Sequence, residues 1–95
     1  MEEDKKKEEG LTEPIKVKDL LLMTIYSLEG KAWAYLGLVS HPETRKPHKD
    51  IEEARVAIDA IDAVYKIIDA KLSSEEKKDL EMRLTNLRLN FVKNQ

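Results

Sequence analysis

The fold of this chain is decided by residues 20–39, which read LLLMTIYSLEGKAWAYLGLV. Glu29 and Lys31 are the only charged residues in the stretch. Pro42 follows it, and because the residue before a proline avoids the helical conformation, the pattern predicts one helix over residues 17–39. A helix that is apolar on nearly every side requires burial on nearly every side.

The first predicted helix also carries four small residues, spaced three and four apart so that they share one side. They are Ser27, Gly30, Ala34 and Gly37. A glycine inside a helix costs roughly 0.5–1 kcal/mol relative to alanine, so its presence asks for a reason. Close approach of another helix is one such reason. A position near the helix end would account for Gly37 but not for Gly30.

Two amphipathic helices are predicted in the remainder of the chain. The second helix, over residues 50–71, repeats apolar residues three and four apart in an unbroken heptad pattern. Its core positions are Ile51, Ala54, Ile58, Ile61, Tyr65, Ile68 and Leu72. The third helix is predicted over residues 74–93, where Ser73 and Glu76 fit a capping box. Its core strip is Leu80, Leu84, Leu87 and Phe91.

The fold class that follows is all-α: a three-helix antiparallel bundle, completed by dimerisation through helix 1. Short links between helices favour antiparallel neighbours. Residues 15–95 are predicted to form the single helical domain. Residues 1–14 are predicted to be a disordered charged tail, because mixed charge without apolar side chains cannot offset the cost of ordering.

Composition limits the class of protein further. A chain of 95 residues is one domain. It buries only roughly 60–65% of its unfolded surface, so a partner chain would add needed stability. Cysteine is absent, which excludes disulfides and thiolate metal sites. The net charge of −2 argues against a general binder of nucleic acid.

The chain is predicted to be cytoplasmic and not to associate with membranes. Its first residues are charged, unlike a signal peptide, and no apolar run approaches the ~20 residues of a membrane span. Many lysines and glutamates with few amides are typical of thermophilic proteins, so a thermophilic source is expected.

The apolar first helix predicts a partner. In a monomeric bundle it would expose a contiguous apolar patch, and such patches usually mark interaction sites. We therefore predict a homodimer or higher homo-oligomer, since two-fold dimers are the commonest assembly, with a different protein as the alternative partner. The predicted interface residues are Leu22, Tyr26, Gly30, Trp33, Ala34 and Gly37. A second hypothesis is a bundle that binds a small apolar ligand or lipid in a cavity lined by Trp33, Tyr26 and Leu22.

A loop over residues 40–49, SHPETRKPHK, is the second candidate for a binding surface. Its candidate partner-binding residues are Arg45, Lys46, His48 and Lys49. Their positive charge leaves weak contact with phosphate or nucleic acid as a further alternative, although no aromatic residue is interleaved for base stacking. His41 and His48 are seven apart with prolines between them, which does not match the ligand spacing of zinc sites. We predict both to be solvent-exposed loop histidines, without a metal.

Catalytic groups are missing from the pattern. The sequence has no Gly-rich phosphate loop, no recognisable Ser/His/Asp set and no cysteine nucleophile. Asp59 and Asp62 lie four residues from Arg55 and Lys66, so ion pairs on a solvated helix face are expected rather than acid–base chemistry. We predict a protein that is not an enzyme and binds no cofactor.

From about residue 28 to residue 92 the chain resembles the small bacterial proteins grouped as domain of unknown function 1844. The matching segments are Leu36-Gly37-Leu38 with Pro42 in the following loop, Asp50-Ile51-Glu52-Glu53-Ala54-Arg55 leading into Ile58-Asp59, Leu72-Ser73-Ser74-Glu75-Glu76, and Leu87-Arg88 with Val92. Where the family pattern has polar Lys-Thr and Gly-Asn pairs, this chain has Ile67-Ile68 and Ala70-Lys71. The resemblance implies a bacterial, helical, cytosolic protein, and it implies no activity.

Overall fold

The computed structural model describes residues 12–95, and within this range the chain is all-helical, with three α-helices and no strand. Helix α1 spans Val17–Tyr35, α2 spans Ile51–Ile68 and α3 spans Ser74–Lys93. A short 3-10 turn, Asp69–Lys71, continues α2. The predicted all-α class is therefore confirmed. The tail predicted over residues 1–14 lies mostly outside the described residues.

The end of α1 differs from the prediction, because the helix stops at Tyr35 rather than at residue 39. Gly37 has a φ of +85°, in the left-handed region. Its N–H donates to the Ala34 carbonyl at 3.0 Å, and the Leu38 N–H donates to the Trp33 carbonyl at 3.2 Å. These two bonds form a Schellman motif, which satisfies carbonyls that the last helical turn leaves free.

Helices α2 and α3 begin at side-chain caps. The Asp50 carboxylate accepts a hydrogen bond from the Glu53 N–H at 3.2 Å. Ser73 and Glu76 form the predicted capping box, with bonds of 3.1 and 2.9 Å in the two directions. The bounds predicted for α3 are confirmed. Its start could be predicted because the capping box lies in the residues next to it.

The core lies between α1 and α2 and continues beneath α3. Helix α1 packs mainly against α2, and α3 contacts α2 more extensively than it contacts α1. The most deeply buried large side chains are Ile25, Leu36, Leu80 and Leu87. Each fully buried aliphatic side chain stabilises the fold by about 1.5–3 kcal/mol relative to exposure. The heptad prediction for α2 is confirmed at Ala54, Ile58, Ile61, Ile68 and Leu72, which are all buried.

Polar side chains join α3 to the other helices at the surface of the core. The Tyr65 hydroxyl of α2 donates to the Glu81 carboxylate at 2.9 Å. On the other side of α3, Arg83 pairs with Glu29 of α1 at 2.8 Å. Helix α3 is thereby tied to both α1 and α2.

Candidate interaction surfaces

One side of α1 is not covered by the rest of the described chain. Ile25 and Ala32 face the core and are buried, whereas the opposite side of the helix carries exposed residues. This outward face consists of Leu20, Met23, Tyr26, Ser27 and Gly30. Leu20 and Tyr26 are each 44% exposed and Met23 is 59% exposed. Large apolar side chains therefore meet solvent along about two helical turns of one face.

The five residues of the outward face are uncharged, and the exposed Asp19 lies one turn before Met23 at the start of this face. Its neighbour Glu29 is turned toward Arg83, whose guanidinium also bonds Asp79 at 2.8 Å. Arg83 lies 5.0 Å from the centre of the Tyr26 ring, within the range of a cation–π contact. Beside the face runs a shallow groove of about 370 Å³. Its lining residues are Leu20, Met23, Thr24, Ser27, Leu28 and Lys31.

Gly30, inside α1, and Gly37, just after its last residue, have different surroundings. A Cβ added to Gly30 would meet no atom within 4 Å, so nothing inside the described chain requires a glycine there. A Cβ added to Gly37 would lie 3.3 Å from the Lys49 side chain, and the backbone at Gly37 already favours glycine through its positive φ. Gly37 is thus explained by the end of the helix, and Gly30 is not explained by the chain itself.

The predicted interface residues are divided between core and surface. Leu22 and Ala34 are buried within the chain, and Trp33 is partly buried against the core. Tyr26 and Gly30 lie on the outward face, and Gly37 is exposed at the end of α1.

Sequence reasoning left Leu20 and Met23 out of the interface, although the structure places them beside Tyr26 and Gly30. Helical spacing places Leu20 and Met23 on one side of the predicted first helix together with Ala34 and Leu38. Because α1 has so few polar residues, its sequence pattern does not indicate which of its apolar sides faces the core.

His41 corrects the prediction of two exposed loop histidines. His48 is exposed, as predicted, but His41 is only 4% exposed. Its Nδ1 lies 2.8 Å from the Lys31 ammonium and its Nε2 lies 2.9 Å from the His48 carbonyl oxygen. An ammonium only donates and a carbonyl only accepts, so Nδ1 is the acceptor and Nε2 carries the proton.

Lys31 connects this histidine to the rest of the loop. Its ammonium also donates to the Glu43 carboxylate at 2.7 Å, and this hydrogen bond lowers the pKa of Glu43 below its ordinary value. The same ammonium lies 4.9 Å from the centre of the Tyr35 ring, against which His41 packs edge-on at 4.4 Å. The end of α1 and the loop are therefore clasped together by one buried imidazole and one lysine.

The basic residues of the loop lie outside this clasp. Arg45, Lys46, His48 and Lys49 are all exposed. Among residues 12–95, no carboxylate forms an ion pair with Arg45, Lys46 or Lys49. A small open pocket of about 280 Å³ lies nearby, and its lining includes the buried His41 and the exposed Lys46 and His48. The loop residues are thus available to a partner, and the pocket shows no assembled set of anion ligands.

The carboxylates of α2 behave as the sequence predicted. Asp59 lies 3.9 Å from Arg55 and Asp62 lies 3.0 Å from Lys66, one helical turn away in each case. Arg88 of α3 adds a second cation to Asp62 at 3.2 Å. The predicted ion pairs are confirmed.

Residues 12–95 contain neither a cluster of metal ligands nor a helix suited to span a membrane. In that range, no three His, Asp or Glu side chains are grouped so that they could hold a metal ion. None of the described helices combines the length and the apolar character needed to cross a bilayer.

The fold and these surfaces define a class: a small three-helix domain with one open apolar helix face and a clasped basic loop. Within that class the chain belongs to the family described as Domain of unknown function (DUF1844), whose model matches residues 18–93. The match begins in the first turn of α1 and ends at the last residue of α3, so it confirms and extends the resemblance seen in the sequence. No curated protein and no solved structure matches the chain.

Proposed function

We propose that this protein is a non-catalytic interaction module that binds a second copy of itself through the outward face of α1. The observation that carries the proposal is the exposure of Leu20, Met23 and Tyr26 on a face that carries no charged side chain beyond Asp19 in the first turn. Burial of apolar surface contributes about 25 cal/mol per Å² removed from water. A small domain without disulfides has few other means of gaining stability.

The non-catalytic part of the proposal rests on His41. It is a buried titratable side chain, and both of its ring nitrogens are engaged, by Lys31 and by the His48 carbonyl. A general base needs a free nitrogen within reach of substrate, which this arrangement does not offer. We further propose a cytoplasmic setting, because small secreted domains are commonly rich in disulfides and this chain has no cysteine. A bacterial source is proposed from the family resemblance alone.

We also propose that consecutive helices run antiparallel, as a helical bundle with short links does. The Asp50 N–H donates to the Tyr35 carbonyl at 2.8 Å, which joins the start of α2 to the end of α1. Between α2 and α3, Lys77 lies 3.6 Å from Asp69 and Arg88 lies 3.2 Å from Asp62. From the first of these pairs to the second, the residue number falls in the earlier element and rises in α3. This supports opposite directions for the two helices.

The alternatives from the sequence have weaker support. A cavity for an apolar ligand between Leu22, Tyr26 and Trp33 is disfavoured because Leu22 belongs to the core and Arg83 lies over the Tyr26 ring. Phosphate or nucleic-acid contact through the loop has three unpaired cations in its favour among the described residues. The nearby Glu43 opposes it.

Light scattering coupled to size exclusion tests the proposal. We expect the wild-type chain to have twice the 11.0 kDa mass of one copy across a range of concentrations. Met23→Glu would place a carboxylate without a partner in the interface. We therefore expect it to raise the dissociation constant at least about 100-fold.

Met82→Glu is the matched control, because Met82 is also a helical methionine and is 60% exposed, but it lies on α3. We expect Met82→Glu to remain dimeric. A wild-type chain that is monomeric at every concentration would contradict the proposal, and so would equal loss of mass in both variants.

A further inference from the structure

The outward face of α1 contains a ridge of side chains. Val17, Leu20, Met23 and Tyr26 are exposed and spaced three residues apart. Side chains at this spacing stand next to one another and form one of the two kinds of ridge through which helices pack. The ridge ends at Tyr26, which Arg83 covers from the side of α3.

The same face contains a gap. Gly30 lies seven residues beyond Met23, which is close to two turns, so the two residues lie nearly on one line along the helix. Among residues 12–95, no atom outside the local helix backbone lies within 4 Å of the position that a Gly30 Cβ would occupy. The methionine projects from the face and the glycine leaves a hollow in it.

We infer that two copies pair with their α1 helices antiparallel, about a two-fold axis between Tyr26 and Ser27, so that Met23 of each copy fills the hollow at Gly30 of the other. Met23 and Gly30 are equally far from that axis along the helix, so both copies make the contact at once. A two-fold interface requires one surface to carry both halves of each contact, and this face does so. The inference rests on the proposed self-association.

A parallel pair fits this surface less well. It would place Met23 against Met23 and Gly30 against Gly30. The two methionine side chains would then keep the helices apart and leave an unfilled space between the two glycines. The antiparallel pair also brings the exposed Ile15, before α1, to the end where the second copy has its exposed Leu38 and Val39. Apolar surface then meets apolar surface at both ends of the helix.

The area of this surface is suited to a second copy. Among residues 12–95, seven of the twelve large exposed apolar side chains lie on α1 or within four residues of its ends. They are Ile15, Val17, Leu20, Met23, Tyr26, Leu38 and Val39. At about half exposure each, they present on the order of 700 Å², close to the roughly 800 Å² that each partner contributes to a stable interface of standard size.

Disulfide cross-linking tests the register, because the chain has no cysteine of its own. Met23→Cys and Gly30→Cys chains are mixed, allowed to exchange and oxidised. We expect a disulfide between unlike chains in the mixture and none in either variant alone, since a disulfide needs Cα atoms about 4.4–6.8 Å apart. A mixture of Met82→Cys and Gly30→Cys controls for random collisions.

A second measurement leaves the face unaltered. A nitroxide label on Lys16→Cys, an exposed position before the first turn, should lie about 30 Å from its equivalent in an antiparallel pair. In a parallel pair the two labels would lie at about 10 Å, the spacing of packed helices.

The outcomes separate the two levels of the proposal. A dimer whose labels are close, or whose single cysteine variants cross-link with themselves, would overturn the antiparallel register and leave self-association standing. A monomer in light scattering would overturn the proposed function itself. The long label distance together with the mixed disulfide would support both.

Discussion

His41 stands in a loop of charged residues and prolines, yet its ring is buried against Tyr35. Its partners Lys31 and Tyr35 precede it by ten and six residues, in the last turns of α1. The chain must reverse after the helix before these groups can meet. Local sequence therefore suggested an exposed side chain, and the return of the loop onto α1 buried it.

Replacing His41 tests the importance of the clasp. We expect His41→Ala to lower the free energy of unfolding by about 2–3 kcal/mol, because it leaves a void and removes a partner from Lys31 and from the His48 carbonyl. His48→Ala is the control. It keeps that backbone carbonyl and should cost less than about 1 kcal/mol.

Urea denaturation at a single protein concentration measures both changes, since the stability of a self-associating chain depends on its concentration. Equal losses in the two variants would show that the buried ring is not the main contributor. As an independent check, ring ¹⁵N shifts should report a protonated Nε2 and a bare Nδ1 in His41.

At the scale of the helices, a predicted helix end is accurate where the residues next to it carry a capping signal. The capping box of Ser73 and Glu76 is local, and α3 begins where it predicts. Gly37 sits in an apolar run that resembles a continuing helix, so α1 was predicted four residues too long. A glycine in such a run reveals a helix end only when its backbone conformation is known.

The end of α1 can be tested at Gly37. We expect Gly37→Ala to lower the free energy of unfolding by about 1–2 kcal/mol, because alanine resists the left-handed conformation. Gly37→Asn is the matched variant, since asparagine is larger than alanine but tolerates that conformation. It should be the more stable of the two in thermal denaturation, and the reverse order would point to crowding against Lys49 as the cause.

At the scale of the whole molecule, three carboxylates have lowered pKa values, and two of them, Asp62 and Glu43, also join separate elements. Asp62 of α2 faces two cations, and the hydrogen bond from Lys66, followed by that from Arg88, lowers its pKa. At the start of α3 the Ser73 N–H lowers the pKa of Glu76. The pKa of Glu43 is lowered in turn by Lys31. In the folded chain these three groups keep their charge at a lower pH than in the unfolded chain.

This difference determines how stability depends on pH. When the pH falls through the ordinary values of 4.5 for glutamate and 3.8 for aspartate, the unfolded chain takes up protons before the folded chain does. Stability is therefore present in full above that range and is lost as the pH falls through the folded-state pKa values. We expect the urea midpoint to fall steadily below about pH 5.

Asp62→Asn should flatten this acid dependence, because the residue with two cationic partners can no longer titrate. Asp59→Asn is the control, since Asp59 has a single, more distant contact with Arg55 at 3.9 Å and is more exposed. Urea midpoints measured between pH 3 and pH 7 for the two variants provide the comparison. An unchanged slope in Asp62→Asn would contradict the assignment.

The sequence by itself determined the features that depend on near neighbours in the chain. These include three helices, the heptad core of α2, the cap and bounds of α3, the ion pairs of Asp59 and Asp62, and the family. Apart from the family, each is encoded in neighbouring residues, where helical spacing and capping act directly.

Only the tertiary structure decided which side of α1 faces the core, where that helix ends and that His41 is buried. The sequence of α1 is apolar on all sides, so its pattern does not show which side is buried. That side is determined only when α2 and α3 pack against the helix. The contacts that secure these features, Glu29 with Arg83 and Lys31 with His41, join residues from different elements. Packing alone brings such residues together, and it is packing that leaves Met23 and Gly30 on the open face.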